Sequence, residues 1–391
     1  PYITASIVVQ LVTKAVPRLE ELSQDGETGR RKISQWTRIL AVPLAIVQSI
    51  AYIFILYQSV LSSNAALAYT PTTADWMLSV TAMVAGSIIL MWFGELITEQ
   101  GIGNGISIII FASIISQLPT TLASLGTALF DTSAGSLSLF GWFNLPVNPT
   151  IFWIVLGFAI ALLIVIYFLV KLNEAQRVIT VNYAKRVHGN STYGGIKSIL
   201  PLKLIAAGVV PVIFATAFLS LPALIGQLIQ TINPEGTFGT TLVTLFTAPS
   251  ASNFATYYPN GITAQWFFYP ALYFALVVLF TYFYTSIIFN TNEIADNLQK
   301  QGGFIEGIRP GNQTAEYLGK TINRLNLFGA LALGIIAMLP FLTDYVFIVL
   351  TGTPIGLSLS GTGLLIIVTV ALENLRQVNS RALMVTYDEY K

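Results

Sequence analysis

A polytopic α-helical membrane protein is the fold class that this sequence predicts, and three observations predict it. Only 9% of the 391 residues are charged, whereas a water-solvated domain of that size carries about a quarter. More than half of the chain, 54%, is hydrophobic. The third observation is a set of long uncharged runs, of which "ILAVPLAIVQSIAYIFILYQSVL" (39–61), "TIFWIVLGFAIALLIVIYFLV" (150–170) and "WFFYPALYFALVVLFTYFYTSIIF" (266–289) are the clearest. About 20 apolar residues cross the hydrocarbon core of a bilayer. Lipid is therefore the solvent for most of this surface.

Apolar runs read against turn signals place nine helices along the chain. The first, 1–16, is apolar up to Lys14 and stops at Pro17; the second, 37–62, follows the basic stretch "GRRKISQWTR". The third, 76–94, ends before "ELITEQ", and the fourth, 104–119, is a short Gly-led segment closed by Pro119. Uncharged runs give the fifth at 150–171, the seventh at 265–289 and the eighth at 323–340. The sixth, 204–225, is interrupted by Gly208, Pro211 and Pro222, and the ninth, 361–376, follows a Gly-rich turn. Backbone groups freed by Pro or Gly need partners inside the protein. Broken helices therefore either line a cavity or carry a simple packing kink.

Charge then fixes orientation. All 19 Lys and Arg fall in the segments 14–38, 94–104, 171–203, 290–324 and the tail from 371. The alternating loops, 63–75, 121–149, 226–264 and 341–360, hold Asp75, Asp131, Glu235 and Asp344 but no base. Basic loops stay in the cytoplasm, so the expected location is a cell membrane with the C-terminus cytoplasmic. One cytoplasmic segment reads as a long solvated hairpin: Phe289–Lys320 carries four acids and three bases and ends near "GIRPG".

The residue inventory argues against chemistry. With no cysteine there is neither a disulfide framework nor a thiolate metal site. Ion-coupled carriers keep ionisable groups at membrane depth, yet Lys14, Glu95, Glu99 and Arg324 sit near cytoplasmic span ends and the span centres hold only amides and hydroxyls. His188 stands alone in a basic loop and reads as a solvated residue. "GIGNG" (101–105) lacks the spacing and the preceding strand of a phosphate loop and reads as a turn. The glycosylation sequons at 190–192 and 312–314 lie on the basic face. No enzyme, cofactor or metal is expected. A secondary transporter remains the rival class, discriminated by substrate-dependent ion flux.

What is left is a set of Ile-rich helix starts, "YITASIVV", "GISIIIFASII", "VVPVIFA" and "GTGLLIIV". They suit either an apolar ring that closes a pore by dewetting or an ordinary lipid-facing or core surface.

These same segments resemble the SecY family, channel subunits of the bacterial protein-translocation complex. "PYITASIVVQL" is similar to the family's second helix, "GETGRRKISQWTR" to its first cytoplasmic loop and "MWFGELITEQGIGNGISIIIFASI" to its fourth and fifth helices. "NYAKR" with "LPLKLIAAGVVPVIFA" resembles the sixth loop and seventh helix, "EIADNLQKQGGFIEGIRPGNQTAEYL" the loop before the ninth, and "GTGLLIIVTVALE" the tenth. The resemblance implies a ten-helix clamshell of two pseudo-symmetric halves, here 1–149 (helices 2 to 5) and 150–391 (helices 6 to 10), with the first helix and plug expected upstream of Pro1. It implies a pore constriction of Ile3, Ile106, Ile110, Ile213 and Ile366, and a lateral gate where Thr4 and Ser6 face Thr216, Ala217 and Leu221. Docking of a motor or ribosome would use Arg309, Lys185, Arg186 and Lys300 on the loops 171–203 and 290–324. Implied partners are SecE, SecG, the SecA ATPase, the ribosome with its RNA, signal-bearing polypeptides and membrane lipid. Two features depart from the family pattern: Ile205 stands where a polar gate residue is usual in the seventh helix, and "NEAQRVI" is less basic than the sixth loop normally is.

Overall fold

The structure, a computed structural model, describes the chain except residues 25, 64–71, 102–103, 131–136, 140–142, 146, 184–185, 189–190, 194–196, 206, 233–235, 250–263, 352–360 and 390–391. The nine predicted spans are all helical: α1 (Tyr2–Ala15), α3 (Gly26–Ser63), α4 (Thr73–Glu99), α5 (Gly105–Leu129), α6 (Pro149–Glu174), α7 (Val210–Ile232), α9 (Ala264–Ile288), α11 (Asn312–Thr351) and α12 (Gly361–Glu389). Three shorter helices join them: α2 (Pro17–Gln24), α8 (Thr237–Phe246) and α10 (Thr291–Lys300). Among the described residues six helices, α3, α4, α6, α7, α9 and α11, are long and apolar enough to cross a membrane.

Local sequence explains the boundaries. Pro17 lacks the N–H that would continue α1, and Val16 turns to extended backbone there. At the start of α4 the Thr72 hydroxyl accepts from the Asp75 N–H while the Thr72 N–H donates to the Asp75 carboxylate, a reciprocal cap. Asn290 caps α10 by accepting from the Glu293 N–H. The outward faces are greasy: Leu78 on α4 is 71% exposed and Leu163 on α6 is 66% exposed. Such surfaces suit lipid and would be costly in water.

Several expectations need correction. Pro119 does not end the fourth predicted helix; α5 runs through it to Leu129, as membrane helices allow where neighbours re-satisfy the freed carbonyl. The sixth predicted helix starts not at 204 but at Val210, because Gly208 takes a left-handed conformation (φ +61°) just ahead of it. Ile205 accordingly lies before α7, buried, near Gly329 of α11. It belongs to the approach to the helix rather than to α7 itself. The polar segment from Phe289 is not a simple hairpin either. It folds as α10, the short strand β7 (Gly303–Ile305) and the opening turns of α11.

Strands are confined to loops. β1 (Leu137–Leu139) pairs with β2 (Phe143–Leu145), and β4 (Arg186–His188) with β5 (Ser191–Tyr193). The larger sheet is antiparallel with order β6-β3-β7, where β3 is Gln176–Tyr183 and β6 is Lys197–Lys203. Val178 pairs with Pro201, and Val181 with both Ser198 and Ile305. Pro201 sits on an edge strand, where a missing N–H costs no ladder bond.

The described residues gather into two compact units. One contains Pro1–Ser113, Ile213–Ala271 and Glu373–Lys391; the other contains Ile114–Val212 and Leu272–Leu372.

Candidate pore ring and cytoplasmic platform

In the first unit, residues of α1, α3, α4 and α5 line a half-open apolar cavity of about 170 Å³. Ile3 lines it from the first turn of α1, and Ile106 and Ile110, one turn apart, line it from α5. Residues four apart share a helix face, so one helix supplies two members of the wall. Ala41 and Ala45 of α3, both nearly fully buried, supply a wall of small side chains. The structure thus brings together three of the five isoleucines expected at a constriction. Ile109 lines the same space and was not singled out from the sequence; its offset of three from Ile106 was the available signal.

Ile213 lies in the first turn of α7, within the same unit, with its carbonyl accepting the Thr216 hydroxyl at 2.8 Å. Ile366 is buried on α12 and belongs to the second unit. The expected gate residues occupy two helices of the first unit. Thr4 and Ser6 are half-buried on α1, and Ser6 Oγ accepts from Gln10 Nε2 at 3.0 Å. Thr216 and Ala217 are half-buried on α7, and Leu221 is exposed.

The second unit carries the loops 171–203 and 290–324, and there the sequence reading missed a fold. Ile179, Val181, Leu202, Ile305, Leu318 and Ile322 form a buried apolar cluster. It joins the sheet to α11, and Ile294, Leu298 and Ile308 pack on its edge. The loops 171–203 and 290–324 are therefore one platform with its own core. Alternation along β3 was the signal: Ile179 and Val181 point inward, Val178 and Thr180 outward.

Arg309 stands on this platform in a turn held from both sides. Ile308 anchors the preceding position in the core cluster, and its N–H donates to the Ile305 carbonyl at 3.0 Å. The Thr314 hydroxyl donates to the Arg309 carbonyl at 2.9 Å. Gly307 and Gly311 flank it with φ of +80° and +95°, values that side-chain-bearing residues rarely adopt. The backbone is fixed while the guanidinium is exposed. Lys300 is likewise exposed, at the end of α10. Arg186 is in β4 and Lys185 lies outside the described residues.

Helices long and apolar enough to cross a bilayer, an apolar cavity walled by isoleucines and a folded, basic platform define a polytopic integral membrane protein. The SecY family model matches residues 1–375, and the chain belongs to the SecY family. Among curated relatives, "Protein translocase subunit SecY" of Streptomyces coelicolor is 40% identical over 394 residues, spanning 100% of this chain and 81% of the relative. The subunits of the same name from Mycobacterium tuberculosis and Corynebacterium glutamicum are each 38% identical, over 100% and 99% of this chain and 81% of theirs. Two solved structures share the fold. One, described as the structure of a protein conducting channel, gives a TM-score of 0.60 at 19% identity, over 96% of this chain and 80% of that one. The other, from work on the SecY plug domain and the closed channel, gives 0.57 at 17% identity, over 96% and 81%.

Proposed function

We infer that this chain is the channel-forming subunit of a protein translocase, passing unfolded secretory polypeptides across the cell membrane and releasing apolar segments sideways into lipid. The observation that carries the mechanism is the convergence of Ile3, Ile106 and Ile110 on one apolar cavity. A translocating chain presents a changing series of side chains, so the conduit cannot depend on matched hydrogen bonds. Branched apolar side chains give a seal that tolerates shape and holds neither water nor ions when idle. Ile213 and Ile366 complete the constriction in this reading. An apolar signal helix leaves between α1 and α7, past Thr4, Ser6, Thr216, Ala217 and Leu221, gaining about 0.8 kcal/mol for each CH₂ transferred to lipid.

The chain performs no covalent chemistry in this reading, and force comes from partners. A platform with a separate core and a fixed, outward Arg309 suits docking of the SecA motor or the ribosome. Lys300, Lys185 and Arg186 add to that surface, which faces the cytoplasm together with the C-terminus. SecE and SecG are the expected companions in the membrane. The halves 1–149 and 150–391 act as the two jaws of the channel.

The absence of native cysteine makes the decisive experiment simple. A single cysteine at Ile213 is challenged with a stalled secretory chain carrying its own cysteine in the spanning stretch. The expected result is a crosslink that requires a functional signal sequence. No crosslink at Ile213, Ile110 or Ile366 would remove the polypeptide from this axis and bring the transporter reading forward.

A further inference from the structure

The described residues of the Gly-rich stretch after α4 are packed with unusual closeness. A Cβ added at Gly105 would collide with the Gly94 carbonyl oxygen. A Cβ at Gly94 would in turn lie 3.2 Å from Ile106 Cγ1 and 3.4 Å from Ile109 Cδ1. The two helices therefore touch backbone to backbone at this point, the contact that small residues permit in membranes. Thr98 ties the joint: its hydroxyl donates to the Gly94 carbonyl at 2.8 Å and accepts from the Gly105 N–H at 2.9 Å. Asn104 caps α5 by accepting from the Ile106 N–H at 3.1 Å. Next to Gly94, Glu95 forms an ion pair with Arg38 of α3. Arg38 lies one turn before Ala41, which backs the isoleucine cavity.

The Gly94–Gly105 contact, the Thr98–Gly105 bond and the Asn104 cap all end within a turn of Ile106. We propose that Gly94, Thr98 and Gly105 are positioning residues for the channel seal: they set the depth and direction in which Ile106 and Ile110 enter the cavity. The inference rests on reading those isoleucines as seal residues. Moving α5 outward by the width of one methyl group would withdraw two of the wall's side chains together, because both ride on the same helix face.

The test measures ion current through idle channels, with the full chain in its native membrane assembly, normalised to inserted protein. Three variants are compared with wild type: Ile110→Asn, which breaks the seal directly, and Thr98→Val and Thr98→Ser, which separate shape from hydroxyl. The expected result is leak in Ile110→Asn, a rise of about fivefold or more in Thr98→Val, which loses the part-buried bonds to the Gly94 carbonyl and from the Gly105 N–H, and near-normal current in Thr98→Ser. Gly105→Ala is expected to leak more than Thr98→Val; where it fails to insert, the threonine pair decides. Leak in Ile110→Asn with wild-type current in Thr98→Val overturns the positioning role and leaves the seal intact as a reading. Equal leak in Thr98→Ser and Thr98→Val overturns the role of the hydroxyl. Wild-type current in Ile110→Asn overturns the seal reading itself, and the positioning role with it.

Discussion

Leu318→Ala probes whether the basic loops are a folded unit. Leu318 is fully buried in the cluster that ties β3, β6 and β7 to α11. Buried Leu→Ala changes cost about 3–5 kcal/mol, from lost transfer energy plus the cavity left behind. The neighbours Ile179, Val181 and Leu202 sit on paired strands, so collapse into the cavity would have to distort the sheet. The upper part of that range is therefore the one to expect. A loss of ~4 kcal/mol raises the population of the locally opened platform by roughly a thousandfold. The lysines at 197, 203 and 300 border this fold, and tryptic cleavage at them in membrane vesicles should accelerate by that factor when opening is fast relative to cutting. Membrane insertion should be unaffected, because Leu318 lies outside the cavity walled by Ile3, Ile106 and Ile110. Wild-type cleavage rates in Leu318→Ala would refute the claim that the two loops fold as one body.

Arg309→Glu should abolish driven export while platform proteolysis stays normal, since the backbone of that turn is held by Ile308 and Thr314 rather than by the guanidinium; normal export would sink the docking assignment. Gly329→Val should lower the thermal midpoint of the purified protein, because even a Cβ there would sit 2.6 Å from the Leu204 carbonyl oxygen; an unchanged midpoint would mean that α11 has room at that contact. Asn326→Leu combined with Thr285→Val should show a coupling of about 0.6–1.7 kcal/mol in a double-mutant cycle on denaturation, since the Thr285 hydroxyl reaches Asn326 Oδ1 at 2.9 Å in a buried setting.

The spans were legible because lipid demands a long run of apolar residues whatever the tertiary contacts are. What hydropathy cannot register is a helix that continues into water. α3 begins at Gly26, through "GETGRRKISQWTR", and α11 begins at Asn312, both well outside their apolar windows. Three isoleucines of the cavity, Ile3, Ile106 and Ile110, were named through the resemblance to the SecY family, since Ile-rich helix starts by themselves suit a lipid-facing or core surface as well as a ring. The platform was hidden for a different reason. β3 finds its partners about 20 residues away in β6 and more than a hundred away in β7, and "GFI" is too short to announce a strand. Polar composition suggested a solvated hairpin, although Ile305 and Ile308 within it are buried or packed on the core.

The two units of function face opposite physical demands, and the chain meets them with different devices. In the proposed function a docking platform must resist force applied at Arg309, and a dry core of branched side chains, a three-stranded sheet and a turn fixed by glycines with positive φ suit that demand. A seal must yield to each passing chain, so strong contacts among its isoleucines would defeat it. Rigidity is better placed one step behind the seal. Gly94 against Gly105, Thr98 bonded to both and Glu95 paired with Arg38 supply it there. Weak dispersion contacts at the ring can then open and reclose without losing register, because the helices that carry them are held by polar bonds the substrate never touches. On this view Ile110→Val, which removes one methyl group, should change the current only slightly, whereas Thr98→Val, remote from the conduit, should change it more. The reverse order in a single-channel recording would place the control of the seal in the ring rather than in its support.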